Sequence, residues 1–297
     1  KGTPLALAVT TDGNGRYCYL DPYMGGAMAV AEAARNVVCL GATPLAITDG
    51  LNFGDPERPH VYWHMEGVVE GMAGACRALG IPVVSGNVSL YNETAGRPVY
   101  PTPVVGLVGL IDDVYHLPRP GSARPGDEVY LLGPGTALPP ETLSGSELLA
   151  ILGHPPSGRP YIDLALEGRV QRAALAAMRE GLVRTAHDCS EGGLAVALAE
   201  LCLREGLGLD APQVELGAHP HASLFGEAPS RILLVTPPGA GGKLATLAQA
   251  MGAPLTWLGR LGGRGFRLGP IALSLEALAQ AYEGALERAL SSPGSAT

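Results

Sequence analysis

Apolar runs along the chain are cut at short intervals by glycine, proline and polar residues, and the cuts set out the elements. Residues 5–9 form an apolar run that predicts a strand. Asp12-Gly13-Asn14-Gly15-Arg16 then predicts a turn, and 17–20 a second short strand. Between 24 and 41, Met28, Ala31, Ala34 and Val38 recur on one helical face, and Gly41 supplies a stop. Residues 44–48 predict a strand that ends at Asp49 in a glycine-containing loop, 50–56. A second helix follows over 61–80, with Met65, Val68, Met72, Ala75 and Leu79 as its apolar face. The apolar run 81–84 stops at Ser85-Gly86, and a polar loop carrying Asn87, Ser89, Asn92 and Glu93 follows. A long β-rich run, 104–111, ends at Asp112-Asp113.

Residues 117–127 hold three prolines and two glycines in eleven positions, which excludes a continuous helix. That break predicts two domains, 1–117 and 128–297, joined by a Pro/Gly linker at 118–127. Beyond it, 128–132, 230–236, 255–258, 266–268 and 271–273 predict strands. Helices are expected from Ser144 onward and over 164–180, 194–203, 243–251 and 275–290. Strands and helices alternate without a dinucleotide-binding glycine pattern, so the fold class is α+β, two layers each with one side of its sheet covered by helices.

Composition narrows the class. At 297 residues, 46% hydrophobic and 16% charged, the chain is long and apolar enough for two buried cores, and only the tail at 291–297 reads as disordered. A net charge of −8 with two lysines, Lys1 and Lys243, argues against an extended nucleic-acid surface. No apolar run reaches the ~18–20 residues that span a bilayer, so no membrane partner is expected. Lys1-Gly2-Thr3-Pro4 leads straight into the first strand without an initiator Met, which fits a piece of a longer polypeptide. The five cysteines are odd in number and none has C-x-x-C spacing. They read as small buried residues in a reducing cytoplasm.

Candidate chemistry sits where strands end. Gly86 lets a ligand approach the backbone closely. Asn87 offers a neutral oxygen suited to Mg²⁺, and Ser89 a hydroxyl that donates or accepts. Asp49 reads either as a cap of its turn or as a contact to a nucleotide and its metal shell. The glycines around Asn14 read as a hairpin turn or as an anion-facing loop. Asp188 and Glu191 have capping-box spacing, yet Gly192-Gly193 leave the same helix start open to a phosphate. His60 and His64 lack the surroundings of a metal pair, and Gly239-Ala240-Gly241-Gly242-Lys243 lacks P-loop spacing.

Six stretches stand in one order: Asp12-Gly13-Asn14-Gly15-Arg16-Tyr17, Tyr19-Leu20-Asp21-Pro22, Ala31-Glu32-Ala33-Ala34-Arg35-Asn36, Thr48-Asp49-Gly50-Leu51-Asn52-Phe53-Gly54, Gly86-Asn87-Val88-Ser89-Leu90-Tyr91-Asn92 and His187-Asp188-Cys189-Ser190-Glu191-Gly192-Gly193. Together they resemble the C-terminal half of the small-type phosphoribosylformylglycinamidine synthase. The resemblance implies an AIR-synthase-like fold: an N-terminal α+β domain that pairs into a shared β-barrel, then a C-terminal α/β domain. It implies ATP-dependent conversion of formylglycinamide ribonucleotide to the formylglycinamidine, with ATP and Mg²⁺ as cofactors. Asp49 and Gly86 match ATP-contacting positions, Asn87 a Mg²⁺ ligand and Ser89 a substrate contact. No catalytic residue is implied in this half. The implied partners are the N-terminal half of the same synthetase, a glutaminase subunit and a small bridging subunit, with a homodimer of the fragment as a further possibility. The rival readings are a self-contained homodimeric enzyme of the same superfamily and a non-catalytic nucleotide-holding scaffold.

Overall fold

The structure is a computed structural model that describes residues 2–115 and 117–291. The tail at 292–297 lies outside the described residues. In chain order the elements are β1 (Ala6–Asp12), α1 (Gly15–Leu20), α2 (Pro22–Cys39), β2 (Thr43–Asn52), α3 (Pro59–Leu79), β3 (Val83–Ser89), β4 (Glu93–Thr94), β5 (Arg97–Pro98) and β6 (Thr102–Ile111). After the Pro/Gly break come β7 (Glu128–Leu132), α4 (Glu147–Ile151), α5 (Leu164–Arg179), β8 (Thr185–Asp188), α6 (Gly193–Glu205), β9 (Leu209–Ala211), α7 (Pro220–Phe225) and β10 (Ile232–Thr236). The chain closes with α8 (Gly241–Ala250), β11 (Leu255–Leu261), β12 (Gly265–Leu268), β13 (Ile271–Ser274), α9 (Leu275–Glu283) and α10 (Ala285–Ser291).

The first sheet runs β1-β6-β2-β3. β6 pairs antiparallel with both β1 and β2, and β3 joins β2 in parallel as an edge. Side chains alternate across it. Ala8, Ile47, Leu51, Val105 and Leu107 point inward onto α2 and α3. Leu7 and Val9, opposite Leu110 and Val108, point the other way, and among the described residues no element covers them. Leu7 and Val9 are 65% and 67% exposed, and Val104 is 41% exposed. The two helices press close because small residues face backbone: a Cβ on Gly71 would lie 1.9 Å from the Tyr23 carbonyl oxygen.

The second sheet runs β13-β12-β9-β11-β7-β10-β8. Here the expectation of one covered side fails. Leu233 and Val235 of β10 pack into a core with α6 and α9, while Ile232 and Leu234 pack into another with α5 and α8. An unbroken apolar strand run is what burial on both faces requires.

Three further expectations change. Residues 17–20 belong to helix α1, not a strand, because the Asn14 side chain caps it by accepting from the Arg16 and Tyr17 amides at 3.0 and 3.3 Å. β2 and β3 run through the predicted loops, and Asp49 lies within β2. The final helix divides at Gly284 into α9 and α10.

Candidate functional site

Register sets the four singled-out residues. Asp49 of β2 lies opposite Gly86 of β3, Gly50 opposite Asn87, and Asn52 opposite Ser89. Gly86 therefore continues a strand rather than opening a loop, because the β2 ladder supplies its partners. Asp49 caps no turn. Its carboxylate lies across Gly86 instead: a Cβ there would meet Asp49 Oδ1 at 2.4 Å. Partial burial pushes the Asp49 carboxyl above its ordinary value.

Alternation divides the set between two faces of the sheet edge. Asp49 and Gly86 share the inward face with Val105, and Asn87 and Ser89 share the open face with Gly50 and Asn52. The structure thus brings Asp49 to Gly86 and keeps Asn87 and Ser89 around the strand from them. Gly86 and Asn87 are solvent-exposed and Ser89 is half-buried, as suits groups that meet something outside the chain.

A tight corner follows Ser89. The Phe53 amide donates to the Ser89 carbonyl at 3.0 Å, and the Tyr91 amide to the Gly54 carbonyl at 2.9 Å. Asn92 Nδ2 reaches the Phe53 carbonyl, the Ser89 carbonyl and Ser89 Oγ at 3.1, 3.0 and 3.1 Å. Tyr91 sits at φ 60° in the left-handed region, with its side chain exposed.

A second polar constellation lies in the seam between the two layers, and sequence reading did not find it. Arg35 of α2 pairs with Glu167 of α5 at 3.0 Å, both essentially without solvent. Glu167 also takes hydrogen bonds from Ser230 Oγ and Gln171 Nε2, both at 2.6 Å. Glu227 accepts from the Tyr17 hydroxyl and from the Gly192 and Glu147 amides. These partners lie 35 to 210 residues apart, apart from the i,i+4 pair Glu167–Gln171, so no local motif announces them. Beside them Asp12, Glu32, Asp188 and Glu191 gather negative charge near Arg35. Burial first, then neighbouring carboxylates, raise Glu32 well above the usual carboxylate range, and burial lifts Asp12 to about 6. The capping-box reading fails here. Asp188 ends β8, its Oδ2 is buried without a partner, and α6 is capped by Gly192 at φ 77° with no side-chain bond. A cavity of about 300 Å³ opens off this seam between Tyr17, Met28, Leu138, Tyr161 and Pro229.

The remaining candidates hold no chemistry together. His64 Nδ1 is bonded to the His60 carbonyl at 2.7 Å, and its ring stacks on Tyr19. His187 Nδ1 faces the Asp188 carbonyl at 2.7 Å. All five cysteines are free and buried, with Cys18 and Cys202 pushed up to about 12 by burial, so their thiols stay protonated. Among the described residues no group of three or more His, Cys, Asp or Glu side chains is placed to hold a metal ion. The site offers a carboxylate, close backbone, an amide and a hydroxyl. It is equipped to position a ligand, and it lacks a paired nucleophile and base.

Residues 2–111 match the N-terminal domain of AIR synthase related protein, and 124–268 match its C-terminal domain. The phosphoribosylformylglycinamidine synthase subunit PurL of Synechococcus sp. (strain JA-3-3Ab) is 51% identical over 261 residues, which are 87% of this chain and 34% of that one. The subunit PurL of Thermomicrobium roseum is 49% identical over 91% of this chain and 37% of its own length. The chain thus spans about a third of the length of the curated relatives it matches. Among solved structures, T. maritima PurL complexed with FGAR superposes with a TM-score of 0.77 at 22% identity, over 93% of this chain and 46% of that one. Thiamine-monophosphate kinase from Stenotrophomonas maltophilia superposes at 0.66 and 18% identity, over 92% and 88% of the two chains.

Proposed function

The chain belongs to the family of AIR synthase related proteins, and on that footing we propose that it is the C-terminal half of a phosphoribosylformylglycinamidine synthase. It contributes one side of a composite ATP site. The observation that carries this reading is the open apolar face of the first sheet, bordered at its β3 edge by Asn87 and Ser89. A monomer rarely leaves such a face uncovered. The N-terminal half of the same synthetase is its proposed cover, through pairing of the first sheets into a barrel. The division at 118–127 is part of this reading, with 1–117 as the pairing domain and 128–297 as the domain behind it.

In the proposed reaction the amide oxygen of formylglycinamide ribonucleotide attacks the γ-phosphorus of ATP, and ADP leaves. Ammonia then adds at the activated carbon and phosphate departs, giving the formylglycinamidine. Ammonia comes from a glutaminase subunit docked with a small bridging subunit. Such chemistry asks mainly for positioning and charge placement. Asp49 and Gly86 are the proposed nucleotide contacts on the inward side of the β2–β3 edge, and Ser89 is the proposed ribonucleotide contact on its open side. Mg²⁺ takes six oxygens in a near-octahedral shell. Asn87 would supply one of them, and among the described residues no group of three or more His, Cys, Asp or Glu side chains completes the shell, so no step is assigned to the metal. Five buried free thiols support a cytoplasmic setting.

The test combines this chain with the N-terminal half of the synthetase, supplies ammonia, and measures ADP release that depends on formylglycinamide ribonucleotide. The mixture is expected to turn over and the chain alone is not. Steady turnover by the chain alone would overturn the composite site. It would favour a self-contained homodimer, a reading kept because a kinase chain of this fold has about this length. ADP binding without turnover, even with the other half present, would favour a nucleotide-holding scaffold.

A further inference from the structure

Tyr91 occupies a position that both of the usual stabilising terms oppose. A non-glycine residue at φ 60° carries a backbone cost that glycine or asparagine largely avoids. The residue is 61% exposed, so little apolar burial offsets that cost. The corner nevertheless has no freedom to relax. Asn92 ties it down with the two protons of one amide nitrogen, shared among three acceptors, and the Tyr91 and Phe53 amides close the remaining sides. Strain held this firmly in an exposed turn, two residues after Ser89, points to a task outside the chain. The same Asn92 amide faces Ser89 Oγ through both its nitrogen, at 3.1 Å, and its oxygen, at 3.3 Å, so one side chain holds the hydroxyl and the turn that carries Tyr91.

We infer that Tyr91 is a further contact residue for the ligand that Ser89 binds, and that Asn92 is the positioning residue that aims them both. This rests on the reading of Ser89 as a contact to formylglycinamide ribonucleotide, and it adds a specificity element that the four matched positions do not include. A preformed corner spares the ligand the cost of ordering it.

The experiment uses the full-length synthase with formylglycinamide ribonucleotide and ATP as probes, and compares Tyr91→Asn, Asn92→Asp and Ser89→Ala. Asparagine accepts the left-handed backbone, so Tyr91→Asn is expected to keep or raise the melting temperature. It should weaken binding of the ribonucleotide about fivefold or more, the scale of one lost contact, and leave ATP affinity unchanged. Asn92→Asp replaces the donating amide with an acceptor of the same size. It is expected to raise KM for the ribonucleotide while KM for ATP holds, whereas general unfolding would impair both. A lower melting temperature with unchanged ribonucleotide affinity in Tyr91→Asn would overturn the inference. So would weakened association with the other half at unchanged ribonucleotide affinity. Ser89→Ala separates the two levels. If it leaves ribonucleotide affinity intact, the parent reading of the site fails. If it weakens binding while Tyr91→Asn does not, only the present inference fails.

Discussion

Asp12 shows how a residue's neighbours override its type. It sits at the end of β1, bonded to Thr10 at 2.9 Å and Asn36 at 2.7 Å, in a seam with few cations. Burial raises its carboxyl from 3.8 to about 6, with Asp188 and Glu191 adding to the rise against Thr10 and Arg35. A raised acid holds its proton more tightly folded than unfolded, so its contribution is greatest at low pH. Stability is lost as pH rises through the window from about 4 to about 6. Melting temperature measured across that window is expected to fall more steeply in the native chain than in Asp12→Asn. Parallel curves would remove Asp12 from the account. The sequence named Asp12 as part of a turn and said nothing of its charge state. That state depends first on burial and then on neighbours such as Asp188 and Arg35, and the fold alone supplies both. Asn14 is the opposite case, since its cap acts on amides two and three residues away and could be read locally.

At the scale of elements, helices with strong periodicity were legible to within a few residues. α2, α3 and α5 fall where their apolar faces put them. Short elements were not. The Tyr17–Leu20 stretch looks like a strand by residue type, but a capped helix wins because Asn14 and then Asp21 satisfy successive helix starts. β2 and β3 extend through glycine and polar residues because each is paired, and pairing outweighs the breaks. The α2–α3 contact gives a direct test. Gly71→Ala would place a methyl against the Tyr23 backbone, which cannot swing aside as a side chain does. Overpacking of this kind costs about 1–3 kcal/mol, more than the helix-propensity gain of alanine over glycine, about 1 kcal/mol. Chemical denaturation is expected to show a lower midpoint for Gly71→Ala. A higher midpoint would mean that the helices separate at little cost.

At the scale of the whole molecule, two sheets are treated differently by the same chain. The seven-stranded sheet is covered on both faces by α5, α8, α6 and α9. Among the described residues, the four-stranded sheet is covered on one face, and Leu7 and Val9 on its other face are exposed. Without its proposed partner, the isolated chain is expected to self-associate through Leu7, Val9 and Val104, with a concentration-dependent mass in sedimentation. Val9→Asp should shift that equilibrium towards monomer and leave the melting temperature nearly unchanged, because Val9 is 67% exposed. A native chain that stays monomeric at high concentration would show that the open face is not an association surface.

Local chemistry was fixed by the residues themselves: the α+β alternation, the long helices, the break at 117–127, and a glycine beside an amide and a hydroxyl in one polar stretch. Each depends on neighbours a few positions away, which a linear reading reaches. Only the folded chain decided that Asp49 lies over Gly86 on one face while Asn87 and Ser89 look out from the other. The fold also decided that Glu167 and Glu227 lock the two layers together and that Asn92 holds Tyr91 in a strained turn. Strand register and the meeting of distant segments set those facts, and neither is written in any short stretch of sequence.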